Sequence, residues 1–264
     1  MVTTRACFPS LVLSVLLSSC VSMQHSDEGS DAAKAAELAY SEGDFAKAFF
    51  LVKPLAENGD ASAQFHLGLL YSDGKGVPLD LAQSFGWFSK AAEQGHLEAQ
   101  FIVASMFNLG QGVAQDKTEA AKWARRAAEQ GHAGAQHALA SRYFEGEGVP
   151  KDYVQALFWF HKAAEQGHTV AQYNLGYMYV TGRGVTADYS EAAKWFRMTA
   201  ERGYARAQLN LGDLYRLGVS VPQDPVQAYK WFALAFSGTT ESDIRATSHA
   251  LSRLGGCQHD PRAD

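Results

Sequence analysis

The tryptophans constrain the fold of this sequence more than any other feature. Consecutive tryptophans are 36 residues apart, at Trp87, Trp123, Trp159, Trp195 and Trp231, and these are all the tryptophans in the chain. An alanine followed by glutamine recurs at the same step from Ala63 to Ala207. A fixed period of this length is typical of proteins built from stacked repeats, in which each unit buries its apolar face on its neighbours. We therefore predict that the tryptophans pack inside such a stack.

Each unit is predicted to contain two antiparallel helices. Ala63, Leu67 and Tyr71 have the spacing of one helical face, which predicts a first helix from Ala63 to about Ser72. A pair of glycines then turns the chain. The second helix is predicted to begin at a capping box, in which an aspartate caps the helix and a Gln or Glu three residues later reaches back to the aspartate N–H. These pairs are Asp80/Gln83, Asp116/Glu119, Asp152/Gln155, Asp188/Glu191 and Asp224/Gln227.

The repeated pattern resembles the Sel-1-like repeat family, a relative of the tetratricopeptide repeats. The best match is Ala63-Gln64-Phe65-His66-Leu67-Gly68 followed by Gly74-Lys75-Gly76-Val77. Departures are Val103-Ala104 and Leu139-Ala140 in place of Leu-Gly, and Ser220 in place of a loop glycine. The resemblance implies an all-α fold, an alpha-alpha superhelix or solenoid of helix-turn-helix repeats.

The predicted organisation has five repeats and an atypical segment at each end. The repeats are placed at residues 63–98, 99–134, 135–170, 171–206 and 207–241. Residues 31–62 match the second half of a unit and are predicted to form a degenerate tetratricopeptide-like cap. Residues 242–256 are predicted to form a capping helix, and residues 257–264 a disordered tail.

The N-terminus has the features of a processing signal over residues 1–19. Arg5 precedes an apolar stretch from Phe8 to Leu17 that is too short to span a bilayer. The segment Leu17-Ser18-Ser19-Cys20 resembles the lipobox of bacterial lipoproteins, which implies that Cys20 is lipidated and that residues 20–30 form a tether. Val21 stands where inner-membrane lipoproteins of this type have aspartate. We expect an outer-membrane lipoprotein facing the periplasm, with secretion or surface exposure as the alternatives.

The cysteines allow no intramolecular disulfide under this interpretation. Cys7 lies in the signal and Cys20 would carry lipid, which leaves Cys257 alone. An intermolecular disulfide through Cys257 stays open.

Charge and motif content argue against nucleic-acid binding and against catalysis. The chain has 23 basic and 28 acidic residues, a net charge of -5 and no long run of like charge, so we expect no nucleic-acid partner. His96, His132 and His168 recur at one position of the unit, a full repeat apart, which is too far to share a metal ion. The sequence has no common catalytic motif. We expect no enzymatic activity, no cofactor and no metal.

The resemblance implies a scaffold or adaptor that binds a protein or peptide in the concave groove of the solenoid. We expect the chain to be monomeric by itself and to touch the membrane only through Cys20. By analogy with the tetratricopeptide groove, the candidate partner-binding residues are Phe65, Leu69, Phe101, Asn108, His137, Phe144, Tyr173, Tyr177 and Arg216. Packing on the next repeat is favoured for Phe65, Phe101 and Tyr173, which recur at the repeat step.

Two other functions remain open at this point. One is a cell-wall or beta-lactam-binding enzyme of low activity, although the regular cysteine pairs of such repeat proteins are absent. The other is an exported or surface factor that contacts a host protein.

Overall fold

The computed structural model describes residues 31–237, and within that range it forms twelve helices and no strand. The predicted all-α fold is confirmed. The predicted signal peptide, Cys20, the tether, the capping helix at 242–256 and the tail with Cys257 lie outside the described residues. The chain divides into two compact units, residues 1–79 and residues 80–264.

From residue 31 onward, the first unit contains the helices α1 (Asp31–Ser41), α2 (Phe45–Glu57) and α3 (Ala61–Asp73). Helix α2 packs against both α1 and α3. Helix α3 begins two residues before the predicted start at Ala63. The reason is that Asp60 caps it, because the Asp60 carboxylate accepts a hydrogen bond from the Ala63 N–H at 2.6 Å.

The second unit is a run of helix-turn-helix repeats in which each helix packs against the next along the chain. Its helices are α4 (Leu81–Glu93), α5 (Leu97–Leu109), α6 (Lys117–Glu129), α7 (Ala133–Glu145), α8 (Tyr153–Glu165), α9 (Thr169–Thr181), α10 (Tyr189–Glu201), α11 (Ala205–Leu217) and α12 (Pro225–Ser237). First and second helices of the repeats therefore alternate, as the periodicity predicts.

The second helices are capped by aspartate as predicted, but the other half of the predicted capping box is wrong. The Asp152 carboxylate accepts hydrogen bonds from the N–H groups of Val154 and Gln155 at 2.9 and 3.0 Å. The Asp152 N–H does not need Gln155, since it donates to the Tyr143 carbonyl at 2.9 Å. The same bond joins Asp116 to Phe107, Asp188 to Tyr179 and Asp224 to Tyr215. Each cap therefore also ties the second helix to the first helix of its own repeat.

The tryptophans pack against the core as predicted, but they are not its most buried aromatic residues. Trp123, Trp159 and Trp195 are only partly buried at the edge of a central cluster. The residue after the tryptophan carries the fully buried ring in four repeats, at Phe88, Phe160, Phe196 and Phe232. The regular tryptophan spacing drew attention away from this neighbouring column, which has Ala124 in the remaining repeat.

The glycine of the Leu-Gly pair lies beside this buried ring, and its position holds only glycine or alanine in the five repeats. Ala140 lies in the same core cluster as Phe160, so alanine is also accommodated there. A Cβ atom on Gly176 would lie 2.6 Å from the Phe196 ring, which is closer than real Cβ contacts. The repeat with Ala124 instead of phenylalanine has Ala104 at the glycine position, and both alanines lie in the same core cluster. A small residue is therefore needed where a ring must approach the helix closely.

The recurring glutamine joins consecutive repeats through a ladder of hydrogen bonds. Gln136 is buried, and its side-chain amide donates to the Ala128 carbonyl at 3.1 Å. Its side-chain oxygen accepts a hydrogen bond from Gln166 of the same repeat's second helix at 2.7 Å. Gln100 with Gln130 and Gln172 with Arg202 repeat this arrangement. These bonds satisfy buried polar groups and hold the first helices in register.

Candidate binding pocket

A pocket of about 360 Å³ opens in the second unit, mainly between the first helices α7 and α9. Its wall combines aromatic rings with charged and amide side chains. The lining residues are Ser141, Phe144, Glu145, Phe160, Tyr173, Asn174, Tyr177, Arg183 and Arg206. A space of this size accommodates one or two side chains of a partner rather than a folded domain.

Arg183 lies among three aromatic rings at one side of the pocket. Its guanidinium carbon is 5.1 Å from the centre of the Phe144 ring, 5.5 Å from that of Tyr153 and 5.6 Å from that of Tyr177. The rings also contact one another, since the Phe144 and Tyr153 centroids are 5.2 Å apart in an edge-to-face arrangement. Cation–π contacts of this kind hold the positive charge in place without neutralising it.

The loop after α9 places Arg183 over these rings. Gly182 ends α9 in the left-handed conformation, and Gly184 has a φ of +73°. A Cβ atom on Gly184 would lie 2.3 Å from the Tyr153 carbonyl oxygen at the start of α8. Only glycine permits this approach. The loop is thereby held against the second helix of the preceding repeat, and Arg183 is carried with it.

Polar groups line the rest of the pocket. Arg206 is exposed near the start of α11, and Glu145 is exposed at the end of α7. The Asn174 side-chain amide lies 3.4 Å from Nε2 of His137. Within residues 31–237, no carboxylate lies within ion-pair distance of either Arg183 or Arg206.

The structure brings three of the predicted groove residues, Phe144, Tyr173 and Tyr177, to this pocket. Tyr173 also packs against Phe196 and Tyr204, with ring centroids 5.8 and 5.1 Å apart. Phe144 and Tyr177 are therefore the predicted aromatic residues whose rings contact Arg183 at this pocket.

The other predicted groove residues make different contacts. Phe65 and Leu69 belong to the first unit, where Phe65 is half-buried and Leu69 is only 3% exposed. The remaining residues engage neighbours within the second unit. Phe101 stacks on His132, His137 stacks on His168, Asn108 accepts a hydrogen bond from Gln115 through its carbonyl, and Arg216 is paired with Asp213.

Six residues of the pocket wall are not among the predicted groove residues, namely Ser141, Glu145, Phe160, Asn174, Arg183 and Arg206. Phe160 directly follows Trp159, and the regular spacing of the tryptophans made Trp159 the more conspicuous residue. Arg183 lies between two loop glycines, a position that holds Lys75, Gln111, Glu147 or Val219 in the other repeats. Variation at one position of an otherwise regular loop was the available signal.

The recurring histidines are helix caps. Nδ1 of His96, His132 and His168 accepts a hydrogen bond from the backbone N–H three residues later, at 3.3, 3.0 and 3.2 Å. This role requires the neutral ring, because a protonated imidazole has no acceptor. Burial lowers the pKa of both His132 and His168, which favours the neutral form.

Among the described histidines of the second unit, His137 has the most strongly lowered pKa. Its ring stacks on His168 with centroids 4.6 Å apart. Burial, with a smaller contribution from the charge of His168, lowers the pKa of His137 to about 4. His137 is therefore neutral at physiological pH, and it has no partner that would make it a base for catalysis near the pocket.

No group of three or more His, Cys, Asp or Glu side chains in residues 31–237 is placed to hold a metal ion. None of the helices within that range is both long and apolar enough to cross a bilayer.

The fold and these contacts define a helix-turn-helix repeat solenoid with a side-chain-sized pocket on its first helices. The Sel1 repeat model matches residues 61–96, 97–132, 133–168, 169–204 and 205–238. The chain belongs to the Sel1 repeat family. These matches begin at or beside the first residue of each first helix, two residues before the repeat boundaries predicted from the sequence. No curated protein matches the chain closely enough to count as a relative.

Two solved structures are similar over most of the chain. One is a protective antigen present in uropathogenic Escherichia coli strains that displays an SLR fold; it is 36% identical, with a TM-score of 0.78. The alignment covers 94% of this chain and 53% of that chain, so this chain spans about half the length of the antigen. The other is a Sel1 repeat protein from Oxalobacter formigenes, 32% identical with a TM-score of 0.77, covering 81% of this chain and 88% of that one.

Proposed function

We propose that this chain is a non-catalytic scaffold that binds a segment of a partner protein in the pocket between α7 and α9. Sel1 repeat proteins generally mediate protein-protein interactions. The observation that supports this site is the half-buried group of Phe144, Tyr177 and Arg183 in the pocket wall, in which the Arg183 guanidinium has no carboxylate partner among the described residues. Aromatic residues and arginine contribute most of the binding energy in protein interfaces.

The chemistry of the pocket supports binding rather than catalysis. The residues that line it include Ser141 and Glu145 but no histidine, cysteine or lysine. A serine nucleophile requires a base that removes its proton, and the Ser141 hydroxyl is not hydrogen-bonded to one among the described residues. Nothing in the pocket favours the alternative of a cell-wall or beta-lactam-binding enzyme.

The proposed place of action is the cell envelope, with the chain anchored through lipidated Cys20. The support for this location comes from the sequence Leu17-Ser18-Ser19-Cys20 and from the short apolar stretch before it. A Cys20→Ala variant should leave the membrane fraction after cell lysis and appear in the soluble fraction. If this variant still pellets with membranes, the proposed anchor is wrong.

Surface exposure is the second candidate location. It is favoured by the similarity to an antigen that is protective and present in uropathogenic strains. Brief protease treatment of intact cells distinguishes the two locations. A periplasmic chain should survive until the outer membrane is permeabilised, whereas a surface-exposed chain should be degraded at once.

The binding site is tested by capture from chemically crosslinked envelopes with tagged wild-type protein and two tyrosine variants. Tyr177→Ala removes a ring of the pocket. Tyr189→Ala is the matched control, because Tyr189 is an exposed tyrosine of the second helix α10 that does not line the pocket. We expect the wild type and Tyr189→Ala to capture the same protein and Tyr177→Ala to lose it, while all three have the same helical circular dichroism.

Equal capture by Tyr177→Ala would contradict the proposed site. Tyr173 is left unchanged in this experiment because its contacts with Phe196 and Tyr204 make it part of the packing as well as of the pocket.

A further inference from the structure

We propose that the partner segment presents an aspartate or glutamate next to an aromatic or aliphatic residue. In this arrangement Arg183 and Arg206 bind the carboxylate, and the rings of Phe144 and Tyr177 contact the apolar neighbour. This inference rests on the proposed function and adds the chemical nature of the segment that the pocket accepts.

The first argument is the state of the Arg183 guanidinium. The centres of three aromatic rings lie 5.1 to 5.6 Å from its central carbon, whereas its N–H groups form no side-chain hydrogen bond within residues 31–237. A guanidinium has five N–H donors in a planar fork that matches a carboxylate with two parallel hydrogen bonds. Arg183 is thus held in place and still has its donors available.

The second argument is a comparison with other arginines of the same unit. Five of them already donate to acceptors of the protein, whereas Arg126 lies over Trp123 and does not line the pocket. The partners are the Tyr143 hydroxyl for Arg125, the Lys117 carbonyl for Arg142, the Tyr215 hydroxyl for Arg197, the Gly167 carbonyl for Arg202 and the Asp213 carboxylate for Arg216. Arg183 and Arg206 differ in that both line a pocket and neither has such an acceptor among the described residues. The acceptor is therefore expected to come from the ligand.

The third argument is the local charge. The chain as a whole is acidic, with a net charge of -5. The pocket carries the two arginines against one carboxylate, Glu145, so its own charge is positive. Glu145 is not paired with either arginine in the described part of the chain. It repels an acidic ligand weakly from the exposed rim, which predicts that its removal strengthens binding.

The aromatic wall favours a peptide segment over a small anion. An inorganic anion would use the two guanidinium groups and leave the Phe144 and Tyr177 rings uncovered. A peptide that places an apolar side chain beside its carboxylate covers both surfaces, and the pocket volume of about 360 Å³ has room for both.

The test is a selection from a phage-displayed library of random dodecapeptides on the immobilised full chain, followed by fluorescence anisotropy with the synthetic peptides that are enriched. The enriched peptides should share an acidic residue adjacent to an aromatic or aliphatic one. Arg183→Gln should weaken their binding on the order of tenfold, the effect of losing a charge-assisted bidentate contact. Glu145→Gln should strengthen it by a few-fold.

The matched control is Arg126→Gln. Arg126 also lies over an aromatic ring, 4.3 Å from the centre of Trp123, but it does not line the pocket. Removing its charge should leave the affinity unchanged. A peptide in which the acidic residue is changed to the corresponding amide should lose more affinity for the wild type than for Arg183→Gln, since in the variant only the contact with Arg206 remains to be lost.

The outcomes separate the two proposals. If the peptides depend on Tyr177 but carry no shared acidic residue, or if Arg183→Gln binds them as well as the wild type, the inference about an acidic segment is overturned and the binding site stands. If no peptide depends on Tyr177, both proposals are overturned.

Discussion

The pair of first helices α7 and α9 can be compared with the preceding pair, α5 and α7. Both pairs consist of the first helices of two consecutive repeats. The later pair has an aromatic pocket with Phe144, Tyr177 and Arg183. At the equivalent positions 36 residues earlier the chain has Asn108, Ser141 and Glu147. Glu147, unlike Arg183, is paired with a charge of opposite sign, Lys117, at 2.7 Å.

The scaffold itself is the same in the two pairs. Both α7 and α9 begin after a histidine whose Nδ1 caps the helix, and both are joined to the preceding repeat by a buried glutamine. Different positions of the repeat therefore determine the fold and the binding site. Positions that hold the same residue type in each repeat maintain the stack. Positions that vary between repeats make one pair of helices different from the next.

The largest expected effect is on stability, and it arises from a difference between the cores beside the two pairs. Phe160 is 2% exposed and lies on α8, which packs against both helices of the later pair; the equivalent position on α6 holds the fully buried Ala124. Phe160→Ala should lower the free energy of unfolding by about 3 to 5 kcal/mol, since it leaves a cavity under the pocket. Urea denaturation followed by circular dichroism measures this change.

The reverse substitution, Ala124→Phe, sharpens the same comparison. It should also destabilise, by about 1 to 3 kcal/mol, because Ala124 is fully buried and a larger side chain there overpacks the surrounding core cluster. Wild-type stability in Phe160→Ala would mean that the ring is not part of the core.

An intermediate effect on stability is expected from a change of pH, because different rings stack on the histidine caps in the two pairs. In the earlier pair Phe101 stacks on His132, and in the later pair His137 stacks on His168. Burial lowers the pKa of His137 from 6.5 to about 4 in the folded state. Between these values the unfolded chain binds a proton that the folded chain does not, so stability is lost as the pH falls below 6.5.

His137→Phe should remove this part of the acid sensitivity, since phenylalanine occupies the equivalent position of the earlier pair. Relative to the variant, the wild type should lose on the order of 2 kcal/mol between pH 7 and pH 4. Urea denaturation of both proteins across this range provides the measurement. Parallel pH profiles would show that His137 titrates alike in the folded and unfolded states.

The smallest effect is expected at the loop position that holds Glu147 in the earlier pair and Arg183 in the later pair. Glu147→Gln breaks an exposed ion pair with Lys117, and exposed pairs contribute little to stability. The melting temperature and the affinity for selected peptides should both stay unchanged, whereas Arg183→Gln at the equivalent position should weaken binding. A loss of peptide affinity in Glu147→Gln would place part of the binding surface in the earlier pair.

Most of the scaffold could be predicted from the sequence because it repeats. The period, the alternating helices and the aspartate caps follow from columns that are present in each unit. The reciprocal half of the capping box could not be predicted, since the Asp152 N–H donates to the distant Tyr143 carbonyl. The buried Phe160 was missed because the more regular tryptophan precedes it.

The site could be predicted only where it lies on a helix. Helical spacing identified Phe144 and Tyr177, which the structure brings to one pocket. It also selected His137, whose stacking on His168 depends on packing between repeats. Arg183 lies in a loop, and its position over Tyr153 depends on the close approach of Gly184 to the backbone of α8. Spacing along one helix contains no information about such a contact.

The most direct test of the account places a photo-crosslinking amino acid, benzoylphenylalanine, at Phe144 or at the equivalent Asn108 and irradiates living cells. The account predicts an adduct with one partner protein from position 144 and none from position 108, with the first adduct suppressed by an excess of a selected acidic peptide in isolated envelopes. No adduct from position 144, or the same adduct from both positions, would contradict the claim that this one pair of helices carries the binding site.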